Sequence, residues 1–167
     1  MVTRDATWRY FDGASVPSGW NEAAFDDGAW KSGNAELGYG DGDEATVVGY
    51  GPSASQKYAT AYFRKSFDWD GSFAVVSVDA ALLADDGAII YVNGVEVARD
   101  NMPAGSVTGS TLAASNRSGS AETVYRDFAV PAGLITPGSN TIAVEVHQDA
   151  RSSSDLSFSM GLTLADS

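Results

Sequence analysis

The feature that most constrains this chain is the strict two-residue alternation of "DLSFSMGLTL" near its carboxyl end. Leu156, Phe158, Met160, Leu162 and Leu164 fall on one side of an extended chain, and Ser157, Ser159, Gly161 and Thr163 fall on the other. A period of two marks a strand with one face on a core. The same period runs through "TAYFRKSFDW", where Ala61, Phe63, Phe67 and Trp69 oppose Tyr62, Arg64, Ser66 and Asp68. It returns in "NTIAVEVHQ", with Ile142, Val144 and Val146 inward and Thr141, Ala143, Glu145 and His147 on the other face. "FAVVSVDAALL" is apolar on nearly both faces and reads as a buried central strand. Loops rich in Gly, Ser, Asn and Pro separate these runs, notably from 100 to 121. The one place for a helical turn or two is "WNEAAFDDG", with Asn21 as cap and Gly28 as stop. These patterns predict an all-β chain with little or no helix, folded as one domain over residues 1–167 from two packed antiparallel sheets.

The stretch "DDGAIIYVNGVEVAR" tests whether this chain carries catalytic acids. "AIIYV" and "VEVA" are short β-branched strands joined by Asn93-Gly94, the pair that best tolerates the positive φ angles of a type I′ hairpin turn. Asp85 and Asp86 stand just before this hairpin, where Asx-type bonds to nearby backbone N–H groups hold a tight turn. Neighbouring residues of an extended chain point to opposite faces, which argues against a general acid/base pair. The pair reads as architecture.

Charge and composition narrow the partners. The chain has 22 acids against 10 basic residues, a formal net charge of −12, so it repels a nucleic-acid backbone and an anionic membrane surface alike. Acids in loops suit a hard cation such as calcium. With no cysteine there is no disulfide, thiol nucleophile or thiolate zinc site. No run approaches the roughly 20 apolar residues of a membrane-spanning helix. The sequon "NRS" at 116–118 matters only in a eukaryotic secretory setting.

The run "DDGAIIYVNGVEVARDNMP", then "PGSNTIAVEVHQ" and the closing amphipathic strand, resembles the galactose-binding-domain-like jelly-roll β-sandwich. The amino-terminal "WRYFDG", "FDDGAW", "LGYGDGDEAT" and "YFRKSF" look like the opening half of modules appended to large secreted bacterial enzymes and surface proteins. The resemblance runs from Trp8 to about Leu164. It implies a carbohydrate-binding accessory module, secreted or cell-surface, cut from a larger protein and flanked there by other domains. It further implies a structural calcium near one end of the sandwich, held by an Asp-Gly-Asp loop and a late acid. "DGDEAT" offers Asp41, Asp43, Glu44 and Thr46, and the late acid is either Asp155 in "SSSDLSF" or Glu145.

Glycan binding needs an aromatic plane for the apolar face of a sugar, with polar groups beside it for the hydroxyls. The aromatics outside the alternating strands are Trp20, Trp30, Tyr39, Tyr50 and Tyr58, each free either to face a ligand or to plug an end of the sandwich. His147 is the only histidine. It reads as a strand residue bonded to a covering loop, or as a ligand contact; no G-x-S-x-G elbow accompanies it for nucleophilic catalysis. The sequence thus predicts a non-enzymatic module that binds a polysaccharide or oligosaccharide. The alternative is a spacer sandwich that packs on a neighbouring domain and binds no sugar.

Overall fold

In the computed structural model, which describes residues 1–167, the strand read from "DLSFSMGLTL" spans Leu156–Ala165 and lies mid-sheet. In chain order the strands are β1 (Thr7–Phe11), β2 (Lys31–Asn34), β3 (Leu37–Tyr39), β4 (Thr46–Val47), β5 (Thr60–Trp69), β6 (Ser77–Asp85), β7 (Gly87–Val92), β8 (Val95–Asp100), β9 (Arg126–Ala129), β10 (Gly138–His147) and β11 (Leu156–Ala165). They form a six-stranded sheet, β2-β1-β5-β10-β7-β8, and a five-stranded sheet, β4-β3-β11-β6-β9. Every pairing is antiparallel except β3 with β4. The two sheets pack as the sandwich that the alternation predicts, in the jelly-roll class that the resemblance implies. No helix is long and apolar enough to cross a membrane.

The inward sets meet as read. Phe63 stacks on Phe158 at 4.2 Å between ring centroids, and Trp8 meets Phe158 edge-on at 4.9 Å. Ile142, Val144, Val146, Leu156, Met160 and Leu162 complete the same buried cluster. Asn93 at φ 49° and Gly94 at φ 83° make the predicted hairpin turn.

Three expectations change. The outer face of the six-stranded sheet is also covered: Tyr62, Arg64, Glu145 and His147 are all buried there. The segment before β2 folds over that face, and Trp20 and Trp30 join Tyr62 and Ala143 in a second apolar cluster. The same segment forms no helix; it runs through successive turns, closed by Glu22 N–H to the Gly19 carbonyl and Phe25 N–H to the Glu22 carbonyl. The reason is Arg64, 1% exposed. Its Nη1 donates to the carbonyls of Trp20 (2.5 Å) and Glu22 (2.9 Å), and its Nη2 to that of Phe25 (3.2 Å). Its Nε donates to Asp27 at 2.9 Å. Three carbonyls that converge on one guanidinium do not lie parallel along a helix axis.

The third change concerns Asp86. It ends no local Asx turn; it lies between β6 and β7, where the chain passes from one sheet to the other. Its carboxylate accepts the backbone N–H groups of Arg117 (2.7 Å) and Asp149 (2.8 Å), both distant in sequence.

Replacing Arg64 by Lys leaves three buried carbonyls to share one ammonium. Urea denaturation of Arg64→Lys should show a loss of about 3 kcal/mol. Native-state proteolysis should then cut first within 19–30.

Candidate functional site

The first candidate lies where the loop after β3 meets the start of β11. Ser157 opposes Gly38 on β3 and Asp85 on β6, so three strands converge at this point. The Ser157 hydroxyl donates to Asp41 at 2.8 Å. Carboxylate oxygens of Asp41, Glu122 and Asp155 lie within 4.8 Å of one another, and those of Glu36, Asp41 and Asp43 do the same. Asp41 belongs to both groups.

Of the predicted metal ligands, Asp41 stands with Asp43 in one group and with Asp155 in the other. Glu44 does not join them; it closes the loop by accepting N–H of Asp41 (2.8 Å) and Gly42 (3.0 Å). The Thr46 hydroxyl donates to the Asn34 carbonyl at 2.8 Å. Glu145 is in the other sheet, where its Oε1 lies 2.9 Å from His147 Nε2. Of the two late acids the sequence offers, Asp155 is the one beside Asp41. Glu36 and Glu122 were not foreseen. Glu36 had a signal, since it shares alternation with Gly38 ahead of the acidic loop; Glu122 sits in a short 3-10 turn (Gly119–Thr123) that no periodicity marks.

Crowding raises the proton affinity of this cluster. Burial, then the charges of Asp43, Asp41 and Glu44, lifts the Glu36 carboxyl above its ordinary range. Burial, with the Asp155 charge next among the raising causes, lifts Asp41. Asp85 is 1% exposed, and its Oδ1 has no hydrogen-bond partner. Burial first and its neighbour Asp86 second push it well above the usual carboxylate range, with Asp155 and Glu122 adding to the same effect.

The aromatic candidates divide differently. Trp20 is buried edge-on against Tyr62 at 4.7 Å and Tyr91 at 5.7 Å. Trp30 is buried between Phe11 and Phe25, each 5.5 Å away. Tyr39 is buried with its hydroxyl accepting from Gln148 at 2.6 Å, and burial pushes its pKa up to about 12. None of these three rings offers a face to solvent. Trp20 and Trp30 cover the outer face of the six-stranded sheet and Tyr39 joins the core, because flanking glycines let the loops fold back as readily as they let them project. Tyr50, 36% exposed, and the half-buried Tyr58 remain accessible.

Tyr58 lines a groove of about 480 Å³ between the 13–16 loop, the start of β5 and the 108–110 loop. Gly51, at φ +98°, backs the Tyr58 ring so closely that an added Cβ would stand 3.0 Å from it. Ser15, Thr60, Thr108, Ser110 and Arg151 supply the polar lining. His147, fully buried, lies beneath. Its Nδ1 stands 2.6 Å from the Thr111 carbonyl and 3.0 Å from the Thr60 hydroxyl.

Thr60, His147 and Glu145 thus have the spacing of a nucleophile, base and acid. The chemistry differs. A carbonyl only accepts, so Nδ1 carries a hydrogen and gives it to Thr111. The Thr60 hydroxyl donates to the Gly109 carbonyl at 2.9 Å. With Nδ1 protonated, Thr60 has no base, and the trio instead fastens the 108–111 loop to the sheet.

No protein-family model matches this chain, and no curated protein does either. Among solved structures it is similar to a β-glucuronidase of Bacteroides uniformis, at 17% identity and a TM-score of 0.63 over 98% of this chain and 17% of that one. A β-glycosidase of Bacteroides vulgatus matches at 13% identity and TM-score 0.62, over 99% of this chain and 20% of its own. A calcium-binding mutant of Bacteroides uniformis β-glucuronidase 2 matches at 15% identity and TM-score 0.55, over 95% and 18%. At these identities the likeness is one of fold. The chain spans about a fifth or less of the length of these enzymes.

The raised carboxyls give a prediction. A carboxyl whose pKa is higher folded than unfolded binds its proton more readily in the folded chain. Stability therefore falls as pH climbs above the ordinary aspartate value of 3.8 toward the raised one, and stays low beyond it. In the presence of chelator, Tm should drop between about pH 5 and about pH 8. Asp85→Asn should flatten that slope and raise Tm at the upper end; an unchanged slope would remove Asp85 as its source.

Proposed function

We propose that this chain is a non-catalytic, sugar-binding accessory module of a larger secreted or cell-surface bacterial protein, and that it holds its polysaccharide or oligosaccharide in the Tyr58 groove. The observation that carries this reading is the groove itself. It joins an accessible tyrosine ring, backed by Gly51, to a rim of hydroxyls from Ser15, Thr108 and Ser110. A ring face suits the C–H face of a pyranose, and hydroxyls suit its own hydroxyls. The similarity to a small share of several glycosidases supports a module that works beside other domains in one polypeptide. The charge of −12 argues against nucleic acid or an anionic membrane as partner.

A structural calcium at the acidic loop belongs to the same proposal. The donors there are all oxygen: Glu36, Asp41, Asp43, Glu122 and Asp155, with the Ser157 hydroxyl on Asp41. Calcium takes six to eight oxygens, several of them carboxylates. The orphaned Oδ1 of Asp85 and the upward proton affinity of Glu36, Asp41 and Glu122 fit a cluster that needs a cation's charge. The bound ion would neutralise these carboxylates and fix the loop between β3 and β4.

Two measurements test the two halves. Calcium added to chelated protein should raise Tm by several degrees, and Asp41→Ala should abolish the shift, because a ligand at 100 times its Kd adds ~2.7 kcal/mol. Titration with a panel of soluble polysaccharides should then find binding that Tyr58→Ala weakens at least about tenfold. Failure across the panel, and on insoluble polysaccharides, would leave only a spacer role.

A further inference from the structure

We infer that the groove selects an acidic sugar, one bearing a carboxylate or a sulfate, and that Arg151 is the residue that reads the charge. The inference rests on the reading of this groove as the sugar site and adds the class of sugar. Three observations support it.

The first is the state of Arg151. Its Nε donates to the Lys57 carbonyl at 2.8 Å and its Nη2 to the Gln56 carbonyl at 3.3 Å. These bonds use the side edge of the guanidinium and leave Nη1, with the outward hydrogen of Nη2, free of any protein acceptor. That free end is the two-pronged edge that matches a carboxylate or a sulfate. The side chain is exposed, yet the two carbonyls fix its plane, so little rotational freedom remains to be lost on binding.

The second is that no carboxylate competes. Four Lys or Arg side chains pair with a carboxylate, and Arg151 is not among them. In a chain with 22 acids, none of the residues lining the groove is Asp or Glu. A surface this acidic repels polyanions in general, so an acid-free groove with a fixed guanidinium is the local exception.

The third is position. Arg151 shares the groove with the Tyr58 ring and with the hydroxyls of Ser15, Thr108 and Ser110. Stacking, hydroxyl bonding and anion pairing thus converge on a space of about 480 Å³, the size of a short oligosaccharide subsite. A sugar acid presents all three partners on one ring. A free small anion presents only one.

The test compares chains that differ only in charge. Oligouronates of galacturonic, glucuronic and mannuronic type are titrated by calorimetry against their methyl esters, with sulfated galactan oligosaccharides as a third arm. Acidic chains should bind at least about tenfold more tightly than the esters, and added salt should shrink the gap. Arg151→Gln, checked for folding by its thermal melt, should erase the gap, while Arg151→Lys should restore part of it through charge without the fork. Preference for uronate over sulfate, or the reverse, identifies the anion; either supports the inference. Esters that bind as tightly as the acids, or a gap that survives in Arg151→Gln, would overturn it and leave a neutral-sugar site. If no arm binds and Tyr58→Ala changes nothing, the sugar-site reading itself fails, which is a different result.

Discussion

Arg64 sits in the middle of β5, on the face that the alternation turns away from the core, and it is among the most deeply buried side chains in the molecule. A guanidinium in such a place needs several acceptors at once, and three carbonyls with one carboxylate supply them. The consequence runs outward. Holding those carbonyls fixes the turns from Gly19 to Trp30, and the turns set Trp20 and Trp30 against Tyr62. Phe11 and Val16 pack on the same cluster, which ties the start of the covering segment to the sheet. The loop at 13–16 is one wall of the groove. A single cation on a strand thus positions a wall of the candidate binding site through a segment with no regular structure of its own.

The adjacent acids Asp85 and Asp86 show how differently two identical side chains fare where the chain changes sheets. Asp86 accepts two backbone N–H groups and so fastens the loops at 117 and 149 to the corner between β6 and β7. Asp85 keeps an unpartnered buried oxygen among carboxylates that already repel one another. A fold retains such an atom when something other than its own stability requires it. The cost is borne by the sheet: β6 and β11 pair over their full length beside it, so the corner does not yield.

What the sequence made legible follows from where each contact is made. Alternation is a local property, and wherever one face meets the core it located the strand, as in β5, β10 and β11. The Asn93-Gly94 turn was equally legible because positive φ is a demand on two residues alone. The acidic loop at 41–43 announced itself by composition. Burial of the other face was legible only at His147, read as bonded to a covering loop, as it is to that of Thr111. Tyr62, Arg64, Glu145 and His147 occupy outward positions, and only the long-range return of the 12–30 and 108–111 segments covers them. For the same reason Trp20 and Trp30, which local sequence leaves free to project, are packed away, and Arg151 carried no signal until its neighbours were known.

The segment from His147 to Asp155 links the two candidate sites. His147 fastens the loop over the groove, Gln148 binds both the Tyr39 hydroxyl and the Asp155 carbonyl, and Asp149 N–H is held by Asp86. Arg151 then reaches the groove, and Asp155 ends the segment in the acidic cluster. A connection this short, fixed at both ends, has little conformational entropy left to lose. Its two ends are held by opposite means, hydrogen bonds at the histidine and mutually repelling carboxylates at the aspartate. The aspartate end is the weaker of the two. A cation that relieved that repulsion would tighten the end whose other strand neighbour is β3.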